Sequence, residues 1–157
     1  MNSHVHYSVQ EAQKKMERYC AYQERCHKEV ERKLKEMRMI PEAIDSIMGH
    51  LILENYLNEE RFAKSFARGK FNIKKWGKNR IKNELKQREI SKFNIQIALR
   101  EIDEEDYFDT LDLLAKKRLS QLTEPNKSKK RRKLLDYLLY RGWESQLVYE
   151  KVMELIK

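Results

Sequence analysis

An apolar pattern that recurs three times along the chain is the feature that most restricts how this sequence can fold. Six apolar positions recur at a constant offset, 51 residues from Val30 to Ile81 and 53 residues from Ile81 to Leu134. The three matched sets are Val30, Leu34, Met39, Ile44, Met48 and Leu51; Ile81, Leu85, Ile90, Ile95, Leu99 and Ile102; and Leu134, Leu138, Trp143, Val148, Val152 and Leu155. Chance rarely keeps six positions twice at fixed spacing, so the sequence predicts three tandem copies of one structural unit.

Each copy carries helical signals. The apolar positions recur with the spacing of a helix face, and only four glycines and two prolines occur in 157 residues, too few for a turn-rich β architecture. A further helix is predicted before each copy, from Ser8 with its capping-box partner Glu11, from Asn58 and from Asp103. We therefore predict an all-α protein of three tandem three-helix repeats, elongated or curved. The predicted boundaries are 1–7 for a disordered N-terminus and 8–57, 58–102 and 103–157 for the three repeats.

The helices that precede the second and third copies have apolar stripes of their own. The residues predicted to face inward are Phe62, Ala63, Phe66 and Ile73 in the first of these helices, and Phe108, Leu111, Leu114, Ala115 and Leu119 in the second. Thr123–Lys127 interrupts the helical pattern, and Gly142 is expected to end a helix in the left-handed conformation.

The charge balance favours an anionic partner. The chain has 34 lysines and arginines against 25 acids, a net charge of +9, which is typical of proteins that bind nucleic acid or an acidic protein surface. Adjacent acids such as Glu59 and Glu60 lie in first turns of helices, where the helix dipole explains them. No pattern of paired catalytic carboxylates remains, so we predict that the chain is not an enzyme and takes no small-molecule substrate.

The two cysteines, Cys20 and Cys26, are too few for a disulfide framework, and together with the histidines they lack a standard zinc-ligand spacing. We expect no metal and no cofactor. The sequence has no apolar signal segment and no long uncharged run, so we expect a cytoplasmic protein that does not bind a membrane and that is a monomer.

Basic residues are concentrated in two stretches. In the first stretch, helical spacing places Arg80, Lys82 and Lys86 away from the Ile81 and Leu85 face, where they are available to phosphates or acidic side chains. The candidate contact residues there are Arg68, Lys70, Lys74, Lys75, Trp76, Lys78, Arg80, Lys82 and Lys86. The second stretch contributes Lys129, Lys130, Arg131 and Arg132. The alternatives are a merely solvated face for the first stretch, disorder for the second, and a packing role for Trp76 in place of stacking on a base.

Two segments resemble a known family. The run Tyr56–Ala63 (YLNEERFA), the basic elbow with Trp76-Gly77, and Arg80-Ile81 with Glu84-Leu85 resemble the signature of the RecX family of bacterial RecA regulators. The segment Leu138–Trp143 (LLYRGW) is similar to that family's final turn of Arg, Gly and an aromatic residue. The resemblance covers about Ala21 to Ile156. It departs at Glu89, where a glycine is usual in the middle repeat, and at the equivalent Arg38; these change the turn geometry and leave the predicted fold standing.

The resemblance implies a modulator that binds in the helical groove of a RecA–single-stranded-DNA filament and mostly inhibits the recombinase, ATPase and coprotease activities of RecA. Such a protein would act in DNA recombination, DNA repair and the SOS response, with the chemistry supplied by RecA. From the residues alone, two alternatives stay open. One is a helical protein that binds nucleic acid without RecA through the same basic face, and the other is a helical scaffold with a solvated face. Whether regulation would work by capping, displacement or stabilisation is also open.

Overall fold

The computed structural model describes residues 6–157, and within them the chain forms nine α-helices and no strand. The helices are α1 (Val9–Tyr22), α2 (His27–Glu36), α3 (Pro41–Leu53), α4 (Glu59–Asn72), α5 (Lys78–Gln87), α6 (Lys92–Arg100), α7 (Glu104–Gln121), α8 (Lys127–Tyr140) and α9 (Ser145–Leu155). The predicted all-α fold is confirmed. The segment predicted to be disordered falls mainly on residues 1–5, which lie outside the described residues.

Side-chain caps begin the helices where the sequence predicts them. The Ser8 N–H donates to Glu11 Oε1 at 2.9 Å, and the Glu11 N–H donates to Ser8 Oγ at 3.1 Å, which completes the capping box of α1. Asn58, Ser91 and Asp103 each accept a hydrogen bond from the backbone N–H three residues later. These bonds satisfy donors that the first turn of a helix leaves without a partner.

The helices pack in three groups of three. In the first unit, α1 and α2 both pack on α3; in the middle unit, α4, α5 and α6 pack on one another; in the third unit, α7, α8 and α9 do the same. Each of the more extensive helix–helix contacts joins two helices of the same unit. The tandem three-helix architecture is therefore confirmed. The residue boundaries given above for the repeats stay a prediction.

The matched apolar positions form the interior of the units. All of them are buried except Met39, Leu99 and Leu155, which are half-buried. The buried residues form two clusters: one belongs to the first unit alone, and the other runs through the middle and third units. Cys26 is the one residue of the first unit, among those described, that belongs to the larger cluster. The middle and third units therefore share a core, whereas the first unit has its own.

Two inward-facing predictions are wrong. Ile73 is 77% exposed because α4 ends at Asn72, and Phe71 is the residue that packs inward there. Phe108 is 44% exposed, and its neighbour Tyr107 is buried in its place. A tyrosine can be buried when its hydroxyl has partners, and Tyr107 has two of them, which the sequence pattern does not reveal.

The turn that ends the second helix of each unit has the same hydrogen-bonded geometry in all three copies, so the expectation that Arg38 and Glu89 change the turn geometry is wrong. Its central residue has a positive φ, 62° at Arg38, 61° at Glu89 and 92° at Gly142. The residue after it donates its N–H across the turn: Met39 to Leu34 O at 3.1 Å, Ile90 to Leu85 O at 3.1 Å and Trp143 to Leu138 O at 3.2 Å. This is a Schellman motif, in which the apolar residue after the turn contacts the last helical turn. Because the donor and acceptor residues are matched apolar positions, the repeat itself specifies this turn.

Replacing Glu89 with glycine should stabilise the protein by about 0.5–1 kcal/mol. A left-handed conformation costs a residue with a Cβ about 1–2 kcal/mol, and the greater freedom of glycine in the unfolded chain offsets part of that gain. Urea unfolding measures the difference. The matched control Glu89→Ala removes the same carboxylate but keeps the Cβ, so it should gain nothing; equal stability of the two variants would contradict the assigned strain.

The junction between the middle and third units is a direct backbone contact. The Gly77 N–H donates to Arg141 O at 2.9 Å, and the Asn79 N–H donates to Gly142 O at 3.0 Å. A Cβ at Gly77 would lie 2.5 Å from Trp143 Cα, and a Cβ at Gly142 would lie 2.5 Å from the backbone nitrogen of Arg80. Only glycine fits at either position.

The junction between the first and middle units is made by side chains. The repeat places Cys26 at the position equivalent to Gly77, and Glu89 at the position equivalent to Gly142. Across this junction Arg61 Nε donates to Glu24 Oε2 at 2.6 Å. A groove of about 830 Å³ remains between the two units.

Candidate functional site

The net positive charge of the chain is concentrated in the middle unit. Residues 58–102 contain 13 lysines and arginines and 5 acids, whereas residues 8–57 contain nine of each and residues 103–157 contain 12 bases and 11 acids. Eight of the nine net positive charges therefore belong to the middle repeat. An anionic partner would therefore be attracted mainly to the middle unit.

Cations and aromatic rings alternate along a surface of the middle unit that runs from its groove with the first unit to Tyr140 of the third unit. We call this set the cation–aromatic row; in order it consists of Arg88, Phe66, Lys70, Trp76, Arg80 and Tyr140. Arg88 lies 4.7 Å from the Phe66 centroid, and Lys70 lies 5.4 Å from Phe66 and 5.0 Å from Trp76. Arg80 lies 4.2 Å from the Trp76 centroid and 5.0 Å from Tyr140. Cation–π contacts of this kind fix the positions of long basic side chains.

Trp76 is half-buried and packs against the shared core, with Phe66 at its edge at 6.4 Å between ring centroids. Lys70 and Arg80 both approach its ring. This arrangement favours the packing role that the sequence left open for Trp76, and it makes the ring a support for two cations.

The third unit holds the basic elbow between α4 and α5 in place. Arg141 Nη2 donates to Lys74 O at 2.6 Å, and Trp143 Nε1 donates to Lys75 O at 3.2 Å. Lys75 has a φ of 58°, and its Nζ donates to Asn72 O at 2.7 Å. The Lys74 side chain is exposed. The backbone of the elbow is therefore held in place by hydrogen bonds from side chains of the third unit.

Helix α5 separates its bases into two stripes on either side of the buried Ile81 and Leu85. Residues at positions i and i+4 lie on one side of a helix. Lys78, Lys82 and Lys86 form one stripe, and the last two of these are exposed. The other stripe contains Arg80 and Arg88 of the cation–aromatic row.

Tyr107 anchors the first residue of α5. The Lys78 N–H donates to the Tyr107 hydroxyl oxygen at 2.8 Å, and that hydroxyl donates to the carboxylate of Glu144. Burial, together with the hydrogen bond to Glu144, raises the pKa of Tyr107, so the hydroxyl keeps its proton. The ring packs on Trp143 at 4.5 Å between centroids, and the Lys78 ammonium lies 4.6 Å from its centroid.

Arg68 is set apart from the other predicted contact residues. It pairs with Glu101 at 3.2 Å, and Lys64 pairs with the same carboxylate at 3.3 Å. Lys64 donates hydrogen bonds to the carboxylates of Glu60 and Glu101, which raise its pKa. The positive charges of Lys64 and Arg68 are therefore balanced by the carboxylates of Glu60 and Glu101.

The second basic stretch is a separate patch. It is helical from Lys127, the first residue of α8, and the Lys129 N–H donates to the capping Asn126 side chain at 2.9 Å. Arg131 Nε donates to Ile156 O at 2.8 Å, and Arg132 lies 3.3 Å from Asp136. Arg131 is nine residues before Tyr140, about 13 Å along the helix at 1.5 Å per residue. Lys129, Lys130, Arg131 and Arg132 therefore do not join the cation–aromatic row.

Sequence reasoning missed the third unit's part in the site. Tyr140 ends the row, and Arg141 and Arg118 both lie against the Tyr137 ring, at 5.4 and 4.7 Å from its centroid. Tyr140 and Arg141 belong to the LLYRGW segment. The resemblance of that segment to the family's final turn was the one sequence signal for this part of the site. Arg88 was missed because its basic charge alone does not show that it lies on Phe66.

The described part of the chain contains no group of three or more His, Cys, Asp or Glu side chains arranged to hold a metal ion. Burial raises the pKa of Cys20 to about 11 and raises that of Cys26, so both thiols stay protonated at neutral pH. None of the described helices is long and apolar enough to cross a membrane.

Three tandem three-helix units with the positive charge gathered on the middle one define a helical-repeat protein, a class that binds partners across several units. The family model of the RecX second three-helix domain matches residues 58–99, and that of the RecX third three-helix domain matches residues 104–152. The chain belongs to the RecX family, a family of regulatory proteins, and the resemblance seen in the sequence is confirmed.

Curated relatives agree with this assignment, and a solved structure shares the fold. "Regulatory protein RecX" of Yersinia enterocolitica is 32% identical over 117 residues, which are 73% of this chain and 68% of the relative. The protein of the same name from Clostridioides difficile is 28% identical over 113 residues, 72% of this chain and 53% of the relative. The crystal structure of RecX from Lactobacillus salivarius superposes with a TM-score of 0.82 at 24% identity, covering 94% of this chain and 96% of that one, which shows a shared fold.

The chain spans about half the length, or less, of several curated relatives that it matches, 53% in Clostridioides difficile and 34% in Lactobacillus johnsonii, where the identity is 34% over 58% of this chain.

Proposed function

We propose that this protein regulates RecA by binding the RecA–single-stranded-DNA filament, in its helical groove, and that it mostly inhibits the recombinase, ATPase and coprotease activities. The observation that carries the proposal is the concentration of positive charge on the middle unit of a RecX-family chain. In this view the protein is a cytoplasmic monomer without catalytic activity of its own. It supplies shape and charge, and RecA supplies the chemistry.

The arrangement of the site supports a contact with a charged filament. Lys74, Lys82 and Lys86 are exposed and can approach phosphates or acidic side chains. Lys70 and Arg80 are held on aromatic rings, so less side-chain freedom is lost when a partner binds them. Because Arg68 is already paired with Glu101, its part in binding should be smaller than that of the exposed lysines.

Reversing two charges, Lys82→Glu with Lys86→Glu, should raise the concentration of protein needed to inhibit RecA strand exchange by roughly tenfold, which corresponds to about 1.4 kcal/mol. Both side chains are exposed, so folding should not change. The measurement is strand exchange and ATP hydrolysis by RecA at graded amounts of protein.

The matched control is Lys92→Glu with Arg100→Glu, which makes the same change in charge at two exposed positions of α6 in the same unit. It should inhibit like the unmodified protein. If both pairs of substitutions weaken inhibition equally, the effect is one of net charge and the α5 stripe is not the contact. If the unmodified protein leaves RecA unaffected at every concentration, the proposed function is wrong.

A second candidate is binding of single-stranded nucleic acid without RecA, because cations interleaved with aromatic rings are typical of single-strand binders. Binding of a bare oligonucleotide, measured at the same salt concentration as RecA inhibition, separates the two functions. Inhibition at concentrations well below those that coat bare DNA favours regulation of the filament. Tight and steeply salt-dependent DNA binding without an effect on RecA favours the second candidate.

A further inference from the structure

A further concentration of basic residues lies in the first unit, away from both basic stretches described above. The first unit has no net charge, since residues 8–57 contain nine bases and nine acids. Its bases are nevertheless gathered at a cleft of about 840 Å³ between α1 and the end of α2. Five lysines and arginines line this cleft, and among the described residues that line it Glu11 and Glu36 are the only acids. We call it the first-unit cleft.

One of the two acids, Glu11, already accepts a hydrogen bond within the protein. The Glu11 carboxylate accepts the Ser8 N–H in the capping box, and that bond lowers the pKa of Glu11. It therefore stays charged while fulfilling a structural role at the helix start. Lys14 and Arg18 are both exposed and lie one helical turn apart on α1. With both carboxylates charged, the five bases against two acids still leave the described lining of the cleft with an excess of positive charge.

Two tyrosine rings lie among these cations. Lys15 Nζ donates to the Tyr7 hydroxyl at 2.9 Å and lies 4.9 Å from the ring centroid. Lys33 lies 5.6 Å from the centroid of Tyr19, and Arg25, which does not line the cleft, lies 3.7 Å from the same centroid. Both rings are half-buried and line the cleft. An open groove with cations and aromatic rings has the composition of a binding site for a single nucleic-acid strand, in which phosphates meet the bases and nucleobases stack on the rings.

We propose that the first-unit cleft binds a single nucleic-acid strand, with Lys14 and Arg18 contacting phosphates and Tyr7 and Tyr19 contacting nucleobases. An acidic peptide would satisfy the charges but would make no use of the paired rings. The cleft belongs to the unit with the separate core, so this site is distinct from the cation–aromatic row. A chain with both sites would hold two anionic segments at once, which raises its apparent affinity for a long partner.

The test is binding of a labelled single-stranded oligonucleotide of about 12 thymidines to the full chain by fluorescence anisotropy, over a range of salt concentrations. All variants are built on Lys82→Glu with Lys86→Glu, which removes the exposed α5 bases from the measurement. Adding Lys14→Glu with Arg18→Glu should weaken binding about tenfold. It should also lower the slope of log affinity against log salt by about 1.4, since each contact with a single strand contributes about 0.7.

The matched control adds Arg32→Glu with Lys35→Glu, two exposed bases of α2 that do not line the cleft; binding should change less than twofold. Circular dichroism checks that every variant is folded, and Lys14→Gln with Arg18→Gln repeats the test without reversed charges. In a separate measurement on the unmodified chain, the oligonucleotide should slow acetylation of Lys14 and leave that of Lys35 unchanged.

Equal loss of binding in the cleft variant and its control would overturn the proposal, as would unchanged acetylation of Lys14. Poly-glutamate that competes as well as an oligonucleotide of equal charge would also overturn it, because the site would then recognise charge alone. The proposal is independent of the RecA assay: loss of oligonucleotide binding in the cleft variant supports it whether or not the protein inhibits strand exchange.

Discussion

Replacing Gly77 with alanine should destabilise the protein by roughly 3–5 kcal/mol. The new methyl group would meet the backbone of Gly142 and Trp143, which cannot move aside as the end of a flexible side chain can. Overpacking of this kind costs about 1–3 kcal/mol and occasionally more. Separating the two backbones would also break the Gly77 and Asn79 hydrogen bonds, at about 0.5–1.5 kcal/mol each. Urea unfolding followed by circular dichroism measures the loss.

Gly49→Ala is the control for this variant. Gly49 lies inside α3 with nothing within 4 Å of the position of a Cβ, so alanine there should stabilise the helix by about 0.5–1 kcal/mol. Opposite signs for the two glycine variants would establish that contact between units, and not helix propensity, governs Gly77. A Gly77→Ala variant as stable as the unmodified protein would show that the two units do not approach this closely in solution.

Truncating Leu34 to alanine should unfold the first unit and leave the middle and third units folded. Leu34 is fully buried in the core that belongs to the first unit alone, and Leu→Ala at such a site costs about 2–5 kcal/mol. A small three-helix unit has little stability to lose. Amide hydrogen exchange resolves the effect by position: protection should fall in α1–α3 and persist in α4–α9.

Leu53→Ala is the matched control, because Leu53 is 82% exposed at the end of α3. Its effect should stay within about 0.5 kcal/mol. If Leu34→Ala instead lowers protection evenly along all nine described helices, the two clusters unfold as one cooperative unit, and the separation of the first unit has no energetic meaning.

The sequence predicts the helices and their order well because the signals are local. Ser8, Asn58 and Asp103 satisfy backbone donors within one helical turn, and the matched apolar positions define helix faces without knowledge of the partner helix. Prediction fails at Phe108, where the residue that is buried, Tyr107, depends on a carboxylate 37 positions further along the chain. Spacing cannot distinguish two adjacent aromatic residues when the deciding contact is that distant.

The candidate site could be predicted only in part, for the same reason. The exposed lysines of α5 follow from helical spacing around Ile81 and Leu85. The contact of Arg80 with Tyr140 does not, because it joins residues of different units. Charge density also proved an incomplete guide, since Arg68 belongs to the basic stretch but pairs with Glu101. Sequence identifies which residues are basic; the packing of the units decides which of them remain available.

The unequal junctions have a mechanical consequence. At Gly77 and Gly142 two backbones touch, so any rotation between the middle and third units drives main-chain atoms into one another. At the first junction, Cys26 and Glu89 occupy the equivalent positions, Arg61 and Glu24 form an ion pair between the units, and an open groove remains. We therefore expect the middle and third units to move as one body, and bending to occur where the first unit meets them.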